Sequence, residues 1–266
     1  MKLLISALLI IIVLSGCDTN KKYLFDKTID LNGMNPISSV IVDDQIFISD
    51  SKNNRIVEIN ENGKIIKSYP GFKRPMHISA FQGKVFIPEY LNDSIKIIEN
   101  GKTIPFELSI IPSAPGGIDV NNKLTAIADF YNHRIIIKSK NDTYTFGKKG
   151  HKVGELFYPT DVKIVNDKIV IADAYNNRVQ IFSVEGKFLK AIGEKDNIKV
   201  ATGVDADENK IIVTDSENSR VLIYNWEGTK IAELTQNLKY PIDVTINGDK
   251  LFVCNFHAGN IAIFQN

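Results

Sequence analysis

The chain has 266 residues, with 32 lysines and arginines against 31 aspartates and glutamates, so its formal net charge is only +1. A near-neutral chain lacks the excess of clustered basic residues that a nucleic-acid surface requires, and we expect no nucleic-acid partner. Two cysteines are too few for a fold held together by several disulfides. The length and composition instead fit one globular domain.

The first 16 residues have the pattern of an export signal. One basic residue precedes an apolar run, 5–14, which is too short for a stable membrane span. Cys17 follows Leu-Ser-Gly directly, and this segment resembles the lipobox of bacterial lipoproteins. The resemblance implies a signal peptide at 1–16, a lipid on Cys17 and a short tether at 17–22; the alternative is an ordinary signal peptide with a chance cysteine. We therefore expect an exported protein that contacts a membrane only through its lipid, at the outer side of the bacterial cytoplasmic membrane or in the outer membrane.

A loop signature recurs through the rest of the chain. It reads Asp-x-x-Asn-x-Arg followed by Ile or Val, and its clearest copy occupies residues 173–179. Four copies are plain and two are eroded; the arginine position of the six copies is held by Arg55, Ser94, Arg134, Arg178, Arg220 and Asn260. A period of about forty residues indicates an array of small repeated units.

Each unit reads as four short β-strands joined by turns rich in Asn, Asp and Gly. In the fourth unit the predicted strands are residues 162–165, 168–172, 178–182 and 187–191. A single four-stranded sheet buries little apolar surface, so six such units must stack face to face, and radial stacking gives a closed ring. The sequence therefore predicts an all-β, six-bladed β-propeller with four-stranded antiparallel blades.

The last unit supplies only three strands before the sequence ends at Asn266. We expect residues 23–29, which are rich in β-formers, to be the missing outermost strand of that blade. This strand would close the ring and cover an exposed strand edge. Residues 23–266 would then form a single propeller domain.

Residues 169–182 closely resemble an NHL repeat. The linker 146–162 is similar to the Phe-Gly-x-x-Gly to Pro-x-x-Val connection of that family. The resemblance extends from about residue 36 to the end and is eroded in units two and six. It implies a six-bladed propeller, but the family includes binding scaffolds, sensor domains and enzymes, so it leaves the function open.

The recurring chemistry of the signature favours a structural role. An Asp carboxylate can accept N–H groups of the following loop, Asn tolerates a left-handed backbone, and Arg can return to the Asp or reach a neighbouring blade. We therefore interpret Asp, Asn and Arg as a clamp that builds each blade.

A polar residue also stands two positions after the Pro or Gly that opens each innermost strand. We expect these residues to encircle one mouth of the central channel; they are Ser38, His77, Asp119, Asp161, Asp205 and Asp243. Because the pattern is repeated in every unit, we favour a structural interpretation that needs no cofactor, in which each Asp accepts backbone N–H groups of its own or the next blade. The alternative is a site for Ca²⁺ or a cationic ligand, since hard cations take converging oxygen ligands.

All four histidines map to the face that carries the signature loops, which raises the possibility of zinc; they are His77, His133, His151 and His257. Their spacing does not match a known zinc motif. The alternative function is accordingly a metal-dependent lyase or hydrolase at the channel mouth, with His77 and the four aspartates as ligands or acid–base groups. Cys254 lies in an apolar run and is predicted to be a buried, inert thiol.

The positions that vary inside the signature loops carry aromatic side chains. The candidate ligand-binding residues are Tyr90, Phe130, Tyr131, Tyr175, Phe256 and His257. Aromatic rings exposed on a rigid ring of blades are typical of a ligand or peptide surface, although rings can also lie flat and cover the loops. The favoured function is therefore non-enzymatic: a monomeric, lipid-anchored propeller that binds a protein, a peptide or a small ligand.

Overall fold

The computed structural model describes residues 22–266, so the predicted signal peptide, Cys17 and most of the tether lie outside the described part of the chain. Twenty-four strands form six four-stranded antiparallel sheets. Blade 1 consists of β2 (Pro36–Val42), β3 (Gln45–Asp50), β4 (Arg55–Ile59) and β5 (Ile65–Pro70). Blade 2 consists of β6 (Ser79–Phe81), β7 (Lys84–Glu89), β8 (Ser94–Glu99) and β9 (Lys102–Phe106). Blade 3 consists of β10 (Pro115–Val120), β11 (Leu124–Asp129), β12 (Arg134–Ser139) and β13 (Thr143–Phe146).

The second half of the ring repeats this order. Blade 4 consists of β14 (Pro159–Val165), β15 (Lys168–Asp173), β16 (Arg178–Ser183) and β17 (Phe188–Ile192). Blade 5 consists of β18 (Ala201–Ala206), β19 (Ile211–Asp215), β20 (Arg220–Tyr224) and β21 (Lys230–Leu234). Blade 6 takes β22 (Pro241–Asn247), β23 (Lys250–Asn255) and β24 (Asn260–Gln265) from the end of the chain and β1 (Leu24–Asp30) from its start. The predicted six-bladed propeller is confirmed.

Closure of the ring by the N-terminal strand is also confirmed. Strand β1 is the outermost strand of blade 6 and pairs antiparallel with β24, with Leu24 opposite Gln265 and Ile29 opposite Ile261. The edge that β24 would otherwise expose is therefore hydrogen-bonded.

The apolar core is divided among the contacts between blades. Six clusters of buried side chains are present, and each lies between two neighbouring blades, including blades 6 and 1. The second strand of a blade is packed on both faces, which explains near-continuous apolar runs such as residues 169–172, whereas outer strands such as β5 are mostly exposed.

The two faces of the ring differ in what they display. The signature loops join the second strand of each blade to the third. They lie beside the linkers that enter the innermost strands, because the first residue of an innermost strand pairs with the signature Asp, as Pro159 does with Asp173. We call this side the clamp face and the opposite side, with the tight turns between first and second strands, the hairpin face. Three signature loops contain a short 3-10 turn that the sequence pattern did not predict, at Ser51–Asn53, Ala174–Asn176 and Ser216–Asn218. Across residues 22–266 no helix has the length and apolarity needed to cross a bilayer.

Candidate functional site

The Asp of the signature is the centre of a hydrogen-bond clamp. The Asp173 carboxylate accepts bonds from the Arg178 Nε at 3.0 Å, the Asn176 Nδ2 at 2.8 Å and the Gln180 Nε2 at 2.8 Å. It also accepts the backbone N–H of Phe157 at 2.7 Å. The clamp interpretation therefore fits the contacts, with one correction: the N–H comes from the linker before the blade rather than from the loop after the Asp. One carboxylate thus joins the linker to the loop.

The left-handed residue of each loop is not the signature Asn, as the sequence pattern predicted, but the residue after it. These residues have φ between 49° and 65°: Asn54, Asp93, His133, Asn177, Ser219 and Gly259. The signature Asn cannot take that role because its amide is turned back to the Asp, as at Asn176. In four of the six loops the side chain of this residue accepts an N–H from the next linker; His133 Nδ1, for example, accepts the N–H of Tyr158 at 3.0 Å.

The predicted polar ring is buried in the channel, and three of its aspartates form hydrogen bonds to the neighbouring blade. Asp119 accepts the N–H of Ile164, Asp161 that of Val204 and Asp205 that of Ile246, at 2.9, 2.9 and 2.7 Å. Each bond runs from one blade to the next. For these three residues the hydrogen bonds match the structural alternative that the sequence left open.

The charged residues of the ring form two groups, one from the even-numbered blades and one from the odd-numbered blades. His77, Asp161 and Asp243 come from blades 2, 4 and 6, and the His77 Nδ1 lies 3.7 Å from the Asp161 Oδ2 and 3.4 Å from the Asp243 Oδ1. Asp119 and Asp205, from blades 3 and 5, are bridged instead by the Lys163 ammonium, 3.8 and 3.0 Å from their Oδ1 atoms. The structure therefore forms two separate groups of charges.

Lys163 is a site residue that the sequence-based prediction missed. It stands two positions after Asp161 on β14, and side chains two apart on a strand face the same side. This alternation is the sequence pattern that could have identified Lys163 as a site residue. A lysine on the innermost strand of a propeller points into the channel, where it can balance the buried carboxylates.

The buried charges shift one another's pKa values. Burial lowers the pKa of His77, but Asp161 and Asp243 outweigh that effect and the net shift is upward. Burial raises the pKa of Asp161 to about 7, with His77 opposing the rise and Asp243 adding to it. Burial alone would lower the pKa of Lys163, yet Asp119 and Asp205 raise it, so its ammonium stays charged.

A cavity of about 180 Å³ adjoins the ring. Its wall includes five of the six ring residues and those that follow them on the innermost strands, such as Lys163 and 244–247, so it extends from the ring toward the hairpin face. Near the clamp face, neighbouring innermost strands approach each other closely: a Cβ atom on Gly203 would lie only 2.7 Å from the carbonyl oxygen of Ile242 in the next blade. Organic ligands of drug size need about 300–1,000 Å³, so the cavity suits an ion with water better than such a substrate.

Four of the six candidate aromatic residues meet on the clamp face. Together with Tyr158 they form what we call the aromatic surface: Tyr90, Phe130, Tyr131, Tyr158 and Tyr175. The Phe130 and Tyr158 ring centres are 4.8 Å apart, those of Tyr158 and Tyr175 are 5.1 Å apart, and the Tyr90 and Tyr131 hydroxyls are 2.8 Å apart. The surface crosses blades 2, 3 and 4.

The other two candidates, Phe256 and His257, form a separate group in blade 6. His257 stacks on Tyr240 with ring centres 4.3 Å apart, and in the described part of the chain no aromatic contact joins this group to the aromatic surface. The sequence-based prediction missed Tyr158 and Tyr240 because they belong to the linkers rather than to the signature loops. Each immediately precedes the proline of its linker and has a positive φ, 54° and 57°, which turns the ring toward the loops.

The four histidines do not converge. His77 lies in the channel, His133 and His151 contact Phe157, and His257 contacts Tyr240. A zinc site built from several histidines on one face is therefore ruled out by their positions. Cys254 is a buried free thiol, and burial raises its pKa, in agreement with the inert role expected of it.

Comparison with known proteins supports the architecture. A family profile described as DUF5128, a 6-bladed beta-propeller, matches residues 154–265. The search of curated proteins gives no match.

Solved structures similar to this chain include two enzymes. Catalytically inactive H270A virginiamycin B lyase from Staphylococcus aureus with quinupristin is 17% identical, with a TM-score of 0.67 over 91% of this chain and 85% of that one. A streptogramin B lyase structure is 14% identical, with a TM-score of 0.66 over 92% and 86% of the two chains. The computationally designed Ika8 protein is 9% identical, with a TM-score of 0.59 over 87% and 71%. At these identities the likeness shows the fold alone; the sheets of this chain and the family profile make that fold a six-bladed β-propeller.

Proposed function

We propose that this protein is a lipid-anchored, extracytoplasmic binding protein with an NHL-type propeller, and that its partner docks on the aromatic surface. The partner is a protein segment that combines acidic side chains with aromatic or proline residues. The propeller itself performs no chemistry in this role.

The observation that carries the proposal is the exposure of two tyrosines at the centre of this surface. Tyr131 and Tyr175 leave 52% and 58% of their surface in solvent, and no other Phe, Tyr or Trp side chain in residues 22–266 is as exposed. Rings that only shielded the loops would lie flat and be largely covered. The loops beneath are fixed by the clamp hydrogen bonds of Asp129 and Asp173, so the rings are held in place before a partner arrives.

The charge around the surface indicates an acidic partner. The Arg74 guanidinium lies over the Tyr90 ring at 4.5 Å, and the Lys149 ammonium lies over the Phe157 ring at 5.8 Å. Both cations are on exposed residues, Arg74 in the linker to blade 2 and Lys149 in the linker to blade 4. Tyrosine and arginine are among the residue types that most often dominate binding energy at interfaces.

The peptide chemistry can be tested with defined probes. A fluorescent peptide that alternates glutamate with tryptophan and proline should bind in an anisotropy titration, whereas the same peptide with lysine in place of glutamate should bind much more weakly. The replacement Tyr131→Ala together with Tyr175→Ala should weaken binding by at least about 30-fold, the equivalent of one interface hot spot of about 2 kcal/mol.

Ile231→Ala is the matched control, because Ile231 is equally exposed, at 55%, but lies in β21 on the outer edge of blade 5. It should leave binding unchanged. The double variant and the control should both unfold at nearly the wild-type temperature because the side chains removed are exposed. Equal binding of both peptides, or full binding by the double variant, would contradict the proposal. A clear drop in unfolding temperature for the double variant would show that the rings serve stability instead.

The anchor is tested on its own. Cys17→Ser should abolish incorporation of labelled palmitate and move the protein from washed membranes to the soluble fraction, because one acyl-bearing residue is the proposed membrane contact. Cys254→Ala is the control and should retain both the label and the membrane association. Palmitate labelling or membrane retention in Cys17→Ser would refute lipid attachment at this residue.

A further inference from the structure

We propose that His77, Asp161 and Asp243 form a binding site for one divalent transition-metal ion inside the channel, separate from the docking surface on the clamp face.

The geometry of the three side chains suits a common ion. Their ligand atoms all lie within 4.8 Å of one another, and His77 Nδ1 is 3.4 and 3.7 Å from the two carboxylate oxygens. Zinc bound at about 2.0–2.2 Å separates its tetrahedral ligands by about 3.3–3.6 Å. The His77 nitrogen thus lies at this spacing from the Asp243 oxygen and just beyond it from the Asp161 oxygen.

At this site the hydrogen-bond network of the polar ring is incomplete. His77 is only 3% exposed, and its Nδ1 has no hydrogen-bond partner within residues 22–266. Asp243 likewise accepts no backbone N–H in this part of the chain, unlike Asp119, Asp161 and Asp205. Buried polar atoms are rarely left unpaired, and an ion bound between these side chains would give both of them a partner.

Charge balance points the same way. Four carboxylates are buried around the channel, and the one ammonium among them in the described residues, on Lys163, lies beside Asp119 and Asp205. Asp161 and Asp243 are therefore left with only His77 between them. A divalent cation bound between Asp161 and Asp243 would balance both carboxylates in their ionised form.

The surroundings hold the ligands in place and leave room for water. Asp161 is fixed by the N–H groups of Val162 and Val204, both at 2.9 Å, and such outer bonds orient ligating carboxylates. The cavity of about 180 Å³ beside the three residues can hold several waters, each occupying about 30 Å³. An ion would thus have three protein ligands and open positions toward the hairpin face.

The donor set favours one class of metal. Calcium and magnesium prefer oxygen ligands throughout, whereas an imidazole with two carboxylates suits zinc or manganese. We therefore expect Zn²⁺ and Mn²⁺ to bind and Ca²⁺ and Mg²⁺ to bind at least about 100-fold more weakly.

The experiment is calorimetric titration of the purified, chelator-treated protein with each of these four metals. Zinc should bind with a stoichiometry near one and raise the unfolding temperature as its concentration increases. Asp243→Asn should weaken zinc binding by about 100-fold or more. Asp119→Asn is the matched control: a similarly buried ring carboxylate in the other charge group, whose loss should change zinc affinity less than about threefold.

A second measurement does not depend on whether a variant folds. The chain has only four histidines, so their imidazole signals can be followed individually by NMR in wild-type protein. Zinc at one equivalent should perturb the His77 ring and leave His133, His151 and His257 unchanged. Absence of binding, binding that survives in Asp243→Asn, or changes confined to the other histidines would overturn the proposal.

Discussion

Asp173→Ala should lower the free energy of unfolding by about 3–5 kcal/mol, the range found when one partner of a buried ion pair is removed. Asp173 is fully buried, and the side chain of its partner Arg178 is only 5% exposed. Without the carboxylate, Arg178 and Gln180 would each lose a bond inside the blade, and the Phe157 N–H would be unpaired. Because these groups are buried, water cannot replace the hydrogen bonds that they lose.

The same replacement in blade 1 should cost less. Asp50 is buried too, but the side chain of Arg55 is 31% exposed and can turn to solvent when its carboxylate is removed. We expect Asp50→Ala to cost about 1–3 kcal/mol, the penalty for hydrogen bonds whose other partner stays partly hydrated. Urea denaturation of both variants measures the difference. Equal losses would show that burial of the arginine does not determine the strength of the clamp.

The repeat period was enough to predict the architecture because each blade is a local unit. Four strands and their turns are encoded within about forty residues, and stacking of such units leaves few arrangements other than a closed ring. The closing strand was also predictable, since the last unit is one strand short and residues 23–29 are a β-forming segment that belongs to no other unit. Strand ends shifted by a few residues; β14, for example, begins at Pro159 rather than at residue 162.

The sites were harder to predict because they depend on contacts between blades. The sequence places six polar residues in a ring but does not show that alternate blades pair, with His77 beside Asp161 and Asp243. Nor does it show that the cavity extends from this ring toward the hairpin face. Tyr158 joins the aromatic surface only because its backbone is left-handed, a conformation that the residue type does not reveal.

Deletion of residues 22–30 should abolish cooperative folding. Two buried side chains, Tyr23 at 6% exposure and Ile29 at 4%, would be lost from the core. Their burial contributes about 3–6 kcal/mol, and the hydrogen bonds of β1 to β24 would be lost as well. A domain is stable by only about 5–15 kcal/mol in total, so the deletion removes a large share of it. Thermal unfolding followed by circular dichroism should show no sharp transition.

A circular permutant separates the loss of this strand from damage to the ring. Leu24 lies opposite Gln265, so a tight Asn-Gly turn can join the end of the chain to its start and form a hairpin of β24 and β1. The chain can then be opened between Asn32 and Gly33, in the turn that follows β1. This permutant keeps every strand pair and should unfold cooperatively near the wild-type temperature. Folding of the deletion variant, or failure of the permutant, would show that the pairing of β1 with β24 is not what closes the ring.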